Sequence, residues 1–331
     1  MNQSSLSARS LTDQGVSATT ERHTGVSVSD LHTAASDLQR LLSKDTLVRT
    51  MEPLGPKTTL KVGGAADLYV VPSQVEDLAE TLAWAEKYSM PIHLLGRGSN
   101  LLVSDEGVRG VVVSLASQAF LDLEVKGEQI RSGAGVRLKR LSERARQQGL
   151  AGLEFLEGIP GSVGGALRMN AGAMGQWIFD VVLQMTTMDR SGRVRTYRAD
   201  QITAGYRHCP LLIEEIAIEA TFRTLPASEI QVKKTMDAYA TQRRSSQPIG
   251  SSAGCMFKNP EGGSAGKLID ELGLKGQRMG QAVISEIHGN FIINQGGASA
   301  QDVLNLMELV RKRAREDRGV ELEIEVQRLG L

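Results

Sequence analysis

The sequence predicts an α/β protein of two or three domains, on three observations. The chain has 331 residues, more than one small core can enclose. Segments with the apolar period of helices alternate with short apolar runs of strand length. Thirty-five glycines cluster between those segments, where a strand must hand over to a turn or a helix.

Composition bounds the partners. Hydrophobic residues make up 41% and charged residues 23%, as in ordinary globular proteins. Lys plus Arg equals Asp plus Glu at 38 each, which argues against recognition of nucleic acid or a membrane surface by bulk charge. Aromatic residues are 4%, too few for a base-stacking platform. No apolar run has the length that spans a bilayer. Cys209 and Cys255 suit neither a disulfide scaffold nor a metal site. His23, His32, His93, His208 and His288 are scattered, so no metal is expected, and a reducing cytoplasm fits best.

Taken in order, residues 1–36 read as a disordered Ser/Thr-rich tail. They lack the apolar segment of a secretory signal, and Asp13 and Glu21 count against a transit peptide. Order is expected from near Leu38. "TTLKVGGAADLYVVP" reads as strand, glycine turn and strand. "SQVEDLAETLAWAEKY" puts Val75, Leu78, Ala79, Leu82 and Ala85 on one helical face, with Ser73 and Glu76 as a capping box. "PIHLLG" reads as a buried strand, and "GVVVSL", "LDLEV" and "QIRSGAG" as short ones. A helix from Val136 to Gln148 buries Leu138, Leu141 and Ala145. "VVLQMTTMD", "RVRTYRA" and "IAIEATFRTL" form a β-rich run, and Pro226 marks a linker. A polar helix covers 228–243, and "SAGKLIDELGL" is a short helix stopped near Gly273. The 300–318 segment is a helix: Val303, Leu306, Met307, Val310 and Ala314 share a face, Ser299 and Asp302 cap it, and Gly319 ends it. "ELEIEVQRLG" closes the chain as a strand.

Three loops stand out: "LLGRGSNLLVSD", "SGAGV" and "EGIPGSVGGALRMNAGA". Glycine lets bare N–H groups approach a phosphate, and Ser99, Asn100, Ser162 and Asn170 add donors. Each loop alone reads equally as a tight strand-to-helix turn. Together they suit a long dinucleotide, held by a fold without the Rossmann or Walker signature.

In this order, with "GYR", "SAGCMFKNP", "SAGKLIDELGLKG" and "LEIEV", the loops resemble the UDP-N-acetylenolpyruvoylglucosamine reductase (MurB) family of peptidoglycan-precursor flavoenzymes. The resemblance covers residue 38 onward, and the absence of a long insertion after "GYR" is similar to the type II subgroup. It implies the α/β FAD-binding fold of the vanillyl-alcohol-oxidase (PCMH) type. The implied organisation is FAD-binding subdomains at 37–110 and 111–225, an α/β substrate-binding domain at 226–318, and a strand at 319–331 returning to the site. Non-covalent FAD, NADPH as co-substrate and a UDP-sugar follow, in a monomer without nucleic-acid or membrane partners. The implied flavin contacts are Gly96, Arg97, Gly98, Ser99 and Asn100, then Gly133, then Gly158, Gly161, Ser162, Gly164 and Gly165.

By the same resemblance, NADPH reduces FAD, and hydride then reaches the enolpyruvyl double bond to give UDP-N-acetylmuramate. Arg207 would fork onto the substrate carboxylate, where by itself it reads as a surface arginine. Glu325 would orient that carboxylate or polarise the enolate, and by itself reads as a surface glutamate on a strand face shared with Glu323. Cys255 stands where most relatives carry the proton-donating serine; alone it reads as a small buried hydrophobe. Its thiol is mainly protonated at neutral pH. Lys258 and Asn259 would reach the diphosphate or sugar, and Tyr206 the flavin or substrate. Glu286 and His288 would lie near the substrate, with a structural role for the histidine equally open. An FAD-linked oxidase of the same fold, acting on another alcohol or sugar, is the competing reading.

Overall fold

The computed structural model describes residues 28–331. Residues 1–27 of the expected tail lie outside them. Order begins nine residues before 37, with helix α1 (Val28–Leu41). Leu31 and Leu38, two turns apart, are buried, and Leu42 follows them inward. So narrow an apolar stripe is hidden in a Ser/Thr-rich composition.

The first unit is a mixed sheet. Strand β1 (Leu47–Pro53) has no counterpart in the sequence reading; β2 (Ala65–Val71) does. The strand expected at "TTLKV" is instead irregular chain after a single 3-10 turn, with Lys61 at positive φ. Helix α2 (Val75–Lys87) leads to β3 (Ile92–Leu94), β4 (Leu101–Val103) and β5 (Val108–Val113). The order is β1-β2-β5-β3, parallel except for the β1–β2 pair. Leu78, Leu82 and Ala85 of α2 pack on Leu68, Val70, Val111 and Val113 of the sheet.

Ser73 does not cap α2; Gln74 is its N-cap and makes no side-chain bond there. Ser73 Oγ donates instead to Asp77 Oδ2 (2.9 Å), as do Ser43 Oγ (2.5 Å) and Thr46 Oγ1 (2.6 Å). Burial alone would raise the Asp77 pKa, but these hydroxyls and the Ser43 N–H outweigh it and bring the group down to about 2. A depressed carboxylate contributes stability above its unfolded pKa and loses it as pH falls through the folded one. Asp77→Asn should therefore cost about 2 kcal/mol at neutral pH, with the gap closing between about pH 4 and pH 2. Urea melts of both proteins across that range test this; a gap that is constant with pH refutes it.

The second unit is an antiparallel sheet flanked by helices. Strands β6 (Leu123–Lys126) and β7 (Gln129–Gly133) precede α3 (Leu138–Gln147) and α4 (Val163–Arg168). Then come β8 (Val182–Met188), β9 (Val194–Arg198), the single turn α5 (Leu211–Glu214) and β10 (Ile216–Arg223). The strand order is β9-β8-β10-β7-β6. Leu138, Leu141 and Ala145 are buried as their spacing predicts. Helix α6 (Glu229–Ser246) also belongs here, not to the third unit that a boundary at 226 would give it. Tyr239 packs on the second core, and Arg146 of α3 pairs with Glu229.

The third unit holds α7 (Ala265–Glu271), β11 (Ala282–Ile284), β12 (Ile292–Asn294) and α8 (Ala300–Arg318). The α8 reading holds at both ends. Ser299 and Asp302 form the reciprocal cap, and Gly319 takes the left-handed conformation (φ 67°) that stops the helix. Asp105 of the first unit accepts from the N–H groups of Ala300 (2.8 Å) and Gln301 (3.1 Å), where the helix dipole favours a carboxylate. Leu60, Val62 and Leu102 complete the third core, so the first and third units share one interior. The expected closing strand is mostly irregular. Only β13 (Gln327–Leu329) is regular, and it pairs in parallel with β4.

Candidate active site

Two adjoining cavities of about 570 and 620 Å³ run between the units and share Gly96, Arg97, Ser162, Gly165 and Arg168 in their walls. The 96–100 turn joins β3 to β4. Among the described residues, none of its five backbone N–H groups has a hydrogen-bond partner. Gly98 sits at φ 61°, and a Cβ there would come within 2.6 Å of Thr58 Cα, so only glycine fits. Ser99 Oγ donates to Pro160 O (2.6 Å), tying this turn to the third glycine loop. Ser162 caps α4 by accepting from Gly165 N (3.4 Å).

Arg97, Arg137, Arg140 and Arg168 line these cavities with no ion-pair partner among the described residues. Burial, and then the charge of Arg137, hold Arg97 below its ordinary pKa. Free N–H groups and unpaired cations in a space of this volume fit an anionic dinucleotide. The glycine reading needs two corrections. Gly133 does not reach the cavities: a Cβ there would meet Phe120 O at 2.3 Å, so it lets β7 pass under a neighbouring turn, and Gly135 is the residue that lines the wall. Gly158 faces Arg243, not the cavities.

Arg207, Cys255 and Glu325 come together in the 570 Å³ cavity. Arg207 sits in a tight turn closed by Gly205 N to His208 O (2.8 Å). Its φ of 56° is left-handed, a conformation costly for a non-glycine residue and concentrated at functional sites. Buried Asn170, itself at φ 37°, donates from Nδ2 to Gly205 O (3.1 Å) and holds the turn. Arg207 Nε donates to Glu325 Oε1 (2.7 Å), while its Nη1 is buried without a partner. The guanidinium lies 5.5 Å from the Trp177 ring centroid and 5.1 Å from that of Tyr206.

Cys255 follows Gly254, whose φ of 77° turns the chain into the cavity. Thr59 Oγ1 donates to Ser252 O (2.6 Å) on one side, and Met256 N to Asn290 O (2.9 Å) on the other. Glu325 N donates to Met256 O (2.8 Å), which sets the carboxylate beside the thiol. Burial, then the charge of Glu325, push the Cys255 thiol up to about 12, against Arg207 and Arg243. Burial also raises Glu325, against Arg207 and Lys258. The shared strand face expected for Glu323 and Glu325 does not exist, because the chain there is irregular: the Glu323 side chain is 71% exposed and Glu325 is buried.

The residues expected to meet substrate divide. Tyr206, Lys258 and Asn259 gather near one another. Asn259 N donates to Tyr206 Oη (3.4 Å), and Lys258 Nζ reaches Glu323 Oε1 (2.5 Å). Asn259 Oδ1 accepts from Ala265 N (3.1 Å), at the start of α7. None of the five lines either cavity, and Glu286 and His288 lie apart from the other three. Glu286 is exposed beside Gly276, and His288 packs edge-on to Phe291 and over Gly266, with its pKa lowered by burial. Cys209 is a free thiol in the second core. The sequence reading missed Trp177 and Arg243 and gave Asn170 only a loop donor's role; "NAG" after the glycine loop was the one signal for it. No helix among the described residues is long and apolar enough to cross a membrane.

Known proteins match over the same elements. A family model described as "UDP-N-acetylenolpyruvoylglucosamine reductase, C-terminal domain" matches residues 245–329. One described as "FAD binding domain" matches residues 66–198. The UDP-N-acetylenolpyruvoylglucosamine reductase of Geobacter metallireducens is 45% identical over 280 residues, 84% of this chain and 93% of that protein. The enzyme of that name from Methylorubrum populi is 42% identical over 306 residues, 92% of this chain and 96% of its own. The crystal structure of the enzyme from Thermus caldophilus superposes with a TM-score of 0.75 at 37% identity, over 86% of this chain and 98% of that one.

Proposed function

We propose, since this chain belongs to the UDP-N-acetylenolpyruvoylglucosamine reductase family and is an FAD-dependent oxidoreductase, that it reduces the enolpyruvyl group of UDP-N-acetyl-3-O-(1-carboxyvinyl)-glucosamine to UDP-N-acetylmuramate with NADPH. The observation that carries this reading is the meeting of Arg207, Cys255 and Glu325, from three distant segments, in a cavity walled by the 96–100 and 160–165 loops. The chemistry FAD supplies when bound is hydride transfer, from NADPH to the terminal vinyl carbon of the substrate. Gly96 to Asn100, Gly135, Gly161, Ser162, Gly164 and Gly165 would hold it, with Arg97 and Arg137 facing its diphosphate charge.

The chain's own groups handle the negative charge and the proton. Arg207 takes the substrate carboxylate on its partnerless Nη1 while its Nε stays fixed on Glu325. Glu325 thereby sets the plane of the guanidinium and repels the carboxylate from its own oxygens. Cys255 stays a thiol across the neutral range and gives its proton to the carbon beside that carboxylate. Tyr206, Lys258 and Asn259 take the sugar or diphosphate end.

An anaerobic two-step titration tests the reading. NADPH should bleach the yellow protein, and the enolpyruvyl substrate should restore the colour. A flavin that stays oxidised with NADPH, or that turns over only with oxygen and a simple sugar, refutes it and favours the oxidase.

A further inference from the structure

Helix α6 ends over the reaction centre, and its last turn carries Arg243 into the cavity of Arg207, Cys255 and Glu325. The chemistry above makes no use of it. The side chain is half-buried, yet its guanidinium has no ion pair or hydrogen bond with any described residue. Burial holds its pKa below arginine's ordinary value, and the charge of Arg207 adds to this. A cation in this cavity without a partner is free to meet a negative charge that forms there.

The seat of Arg243 is specific. A Cβ on Gly158 would lie 2.6 Å from Arg243 Cδ, in the middle of the side chain. Gly158 has no positive φ, so its backbone does not require glycine. What it supplies is room for the arginine stem.

Three charged groups that line the cavity with Cys255 act on its thiol: Glu325 ahead of β13, Arg207 on the 205–208 turn and Arg243 on α6. Glu325 and Arg207 are already bonded to each other at 2.7 Å. Arg243 is the positive charge left over.

We infer that Arg243, seated on Gly158, is the counter-charge for the thiolate that forms when Cys255 gives up its proton. This rests on Cys255 as proton donor. In that step the Sγ–H bond breaks and a C–H bond forms at the substrate carbon next to the carboxylate. The electron pair of the enolate becomes the new bond, and the S–H pair stays on sulfur until a solvent proton restores the thiol. Gly158 is a positioning residue that acts through Arg243.

The test reads the thiol in the FAD-loaded enzyme. Iodoacetamide alkylation of Cys255 at about pH 9, followed by peptide mass spectrometry, reports its thiolate fraction. Arg243→Met and Gly158→Ala should each slow alkylation about tenfold, and Arg243→Lys should recover most of the rate. The same variants should lower kcat for the enolpyruvyl half more than they raise KM. Alkylation at the wild-type rate in Arg243→Met overturns the inference, as does an Arg243→Lys rate no better than Arg243→Met. A wild-type rate in Gly158→Ala overturns the positioning role. Failure of the underlying reading looks different: Cys255→Ala would then keep full enolpyruvyl reduction.

Discussion

Cys255→Ala is expected to be reduced by NADPH at the wild-type rate and to reduce the enolpyruvyl substrate about 10²–10⁴-fold more slowly. Rapid mixing of the two half-reactions separates the effects. The truncated side chain leaves the glycine loops untouched, since Cys255 lies on the 251–257 segment and not on the 96–100 or 160–165 turns. It removes the one thiol in the cavity. Glu325 is no replacement, because its oxygen is engaged by Arg207. Cys255→Ser should recover part of the rate, since a hydroxyl can also donate. The pH dependence follows from the thiol being pushed up to about 12. A donor works below its pKa, so the thiol contributes no loss of rate between about pH 6 and pH 9. A wild-type rate for the enolpyruvyl half in Cys255→Ala would sink the assignment.

Arg207→Met should lower kcat/KM for the enolpyruvyl substrate by about 10²–10³-fold, the scale for losing a positioned donor to developing negative charge. It should also change how stability depends on pH. With its guanidinium partner gone, Glu325 is a buried carboxylate opposed only by Lys258, and its pKa, already raised by burial, climbs further. A raised carboxylate pKa means that the folded state binds more protons, so stability is highest at low pH. It is lost as pH rises from the unfolded pKa through the folded one. Arg207→Met should therefore melt at a lower temperature at about pH 8 than at about pH 5. The Arg207→Met, Glu325→Gln double variant should regain stability at the higher pH without regaining activity. Arg207→Lys should not rescue the rate, because an ammonium cannot hold Glu325 and a carboxylate in one plane. An unchanged kcat/KM in Arg207→Met, or a double variant no more stable than the single one, would refute this account.

The fold was legible wherever local chemistry and packing agreed. Helix α8 has a full apolar face, a reciprocal cap and a glycine stop, and all three are found. Helix α1 and strand β1 were not legible. The first shows two buried leucines in a polar context, and "LVRTMEP" mixes charge with apolar residues because it pairs at a sheet edge. Ser73 misled because a hydroxyl ahead of a helix can serve a nearby carboxylate as well as a backbone N–H. For the site, the motifs pointed to Arg207, Cys255 and Glu325, and the three share a cavity. Local spacing could not say which glycines face a ligand and which make room for a protein atom. Gly133 and Gly158 belong to the second kind, since what crowds them comes from Phe120 and from Arg243. Arg243, and the bond by which Asn170 holds the Arg207 turn, escaped notice for the same reason: their partners are distant in sequence.

The β13–β4 pairing has a consequence in time. Gln327 N donates to Asn100 O (3.0 Å) and Asn100 Nδ2 reaches Glu325 O (3.4 Å), across a separation of 225 residues. During translation the 101–103 edge emerges long before its partner, and stays an open strand border that invites mispairing. The ribosome must add residues 325–329 before the carboxylate and the 96–100 turn can lock together. A nascent chain too short to include them lacks the Glu325 carboxylate beside Arg207 and Cys255.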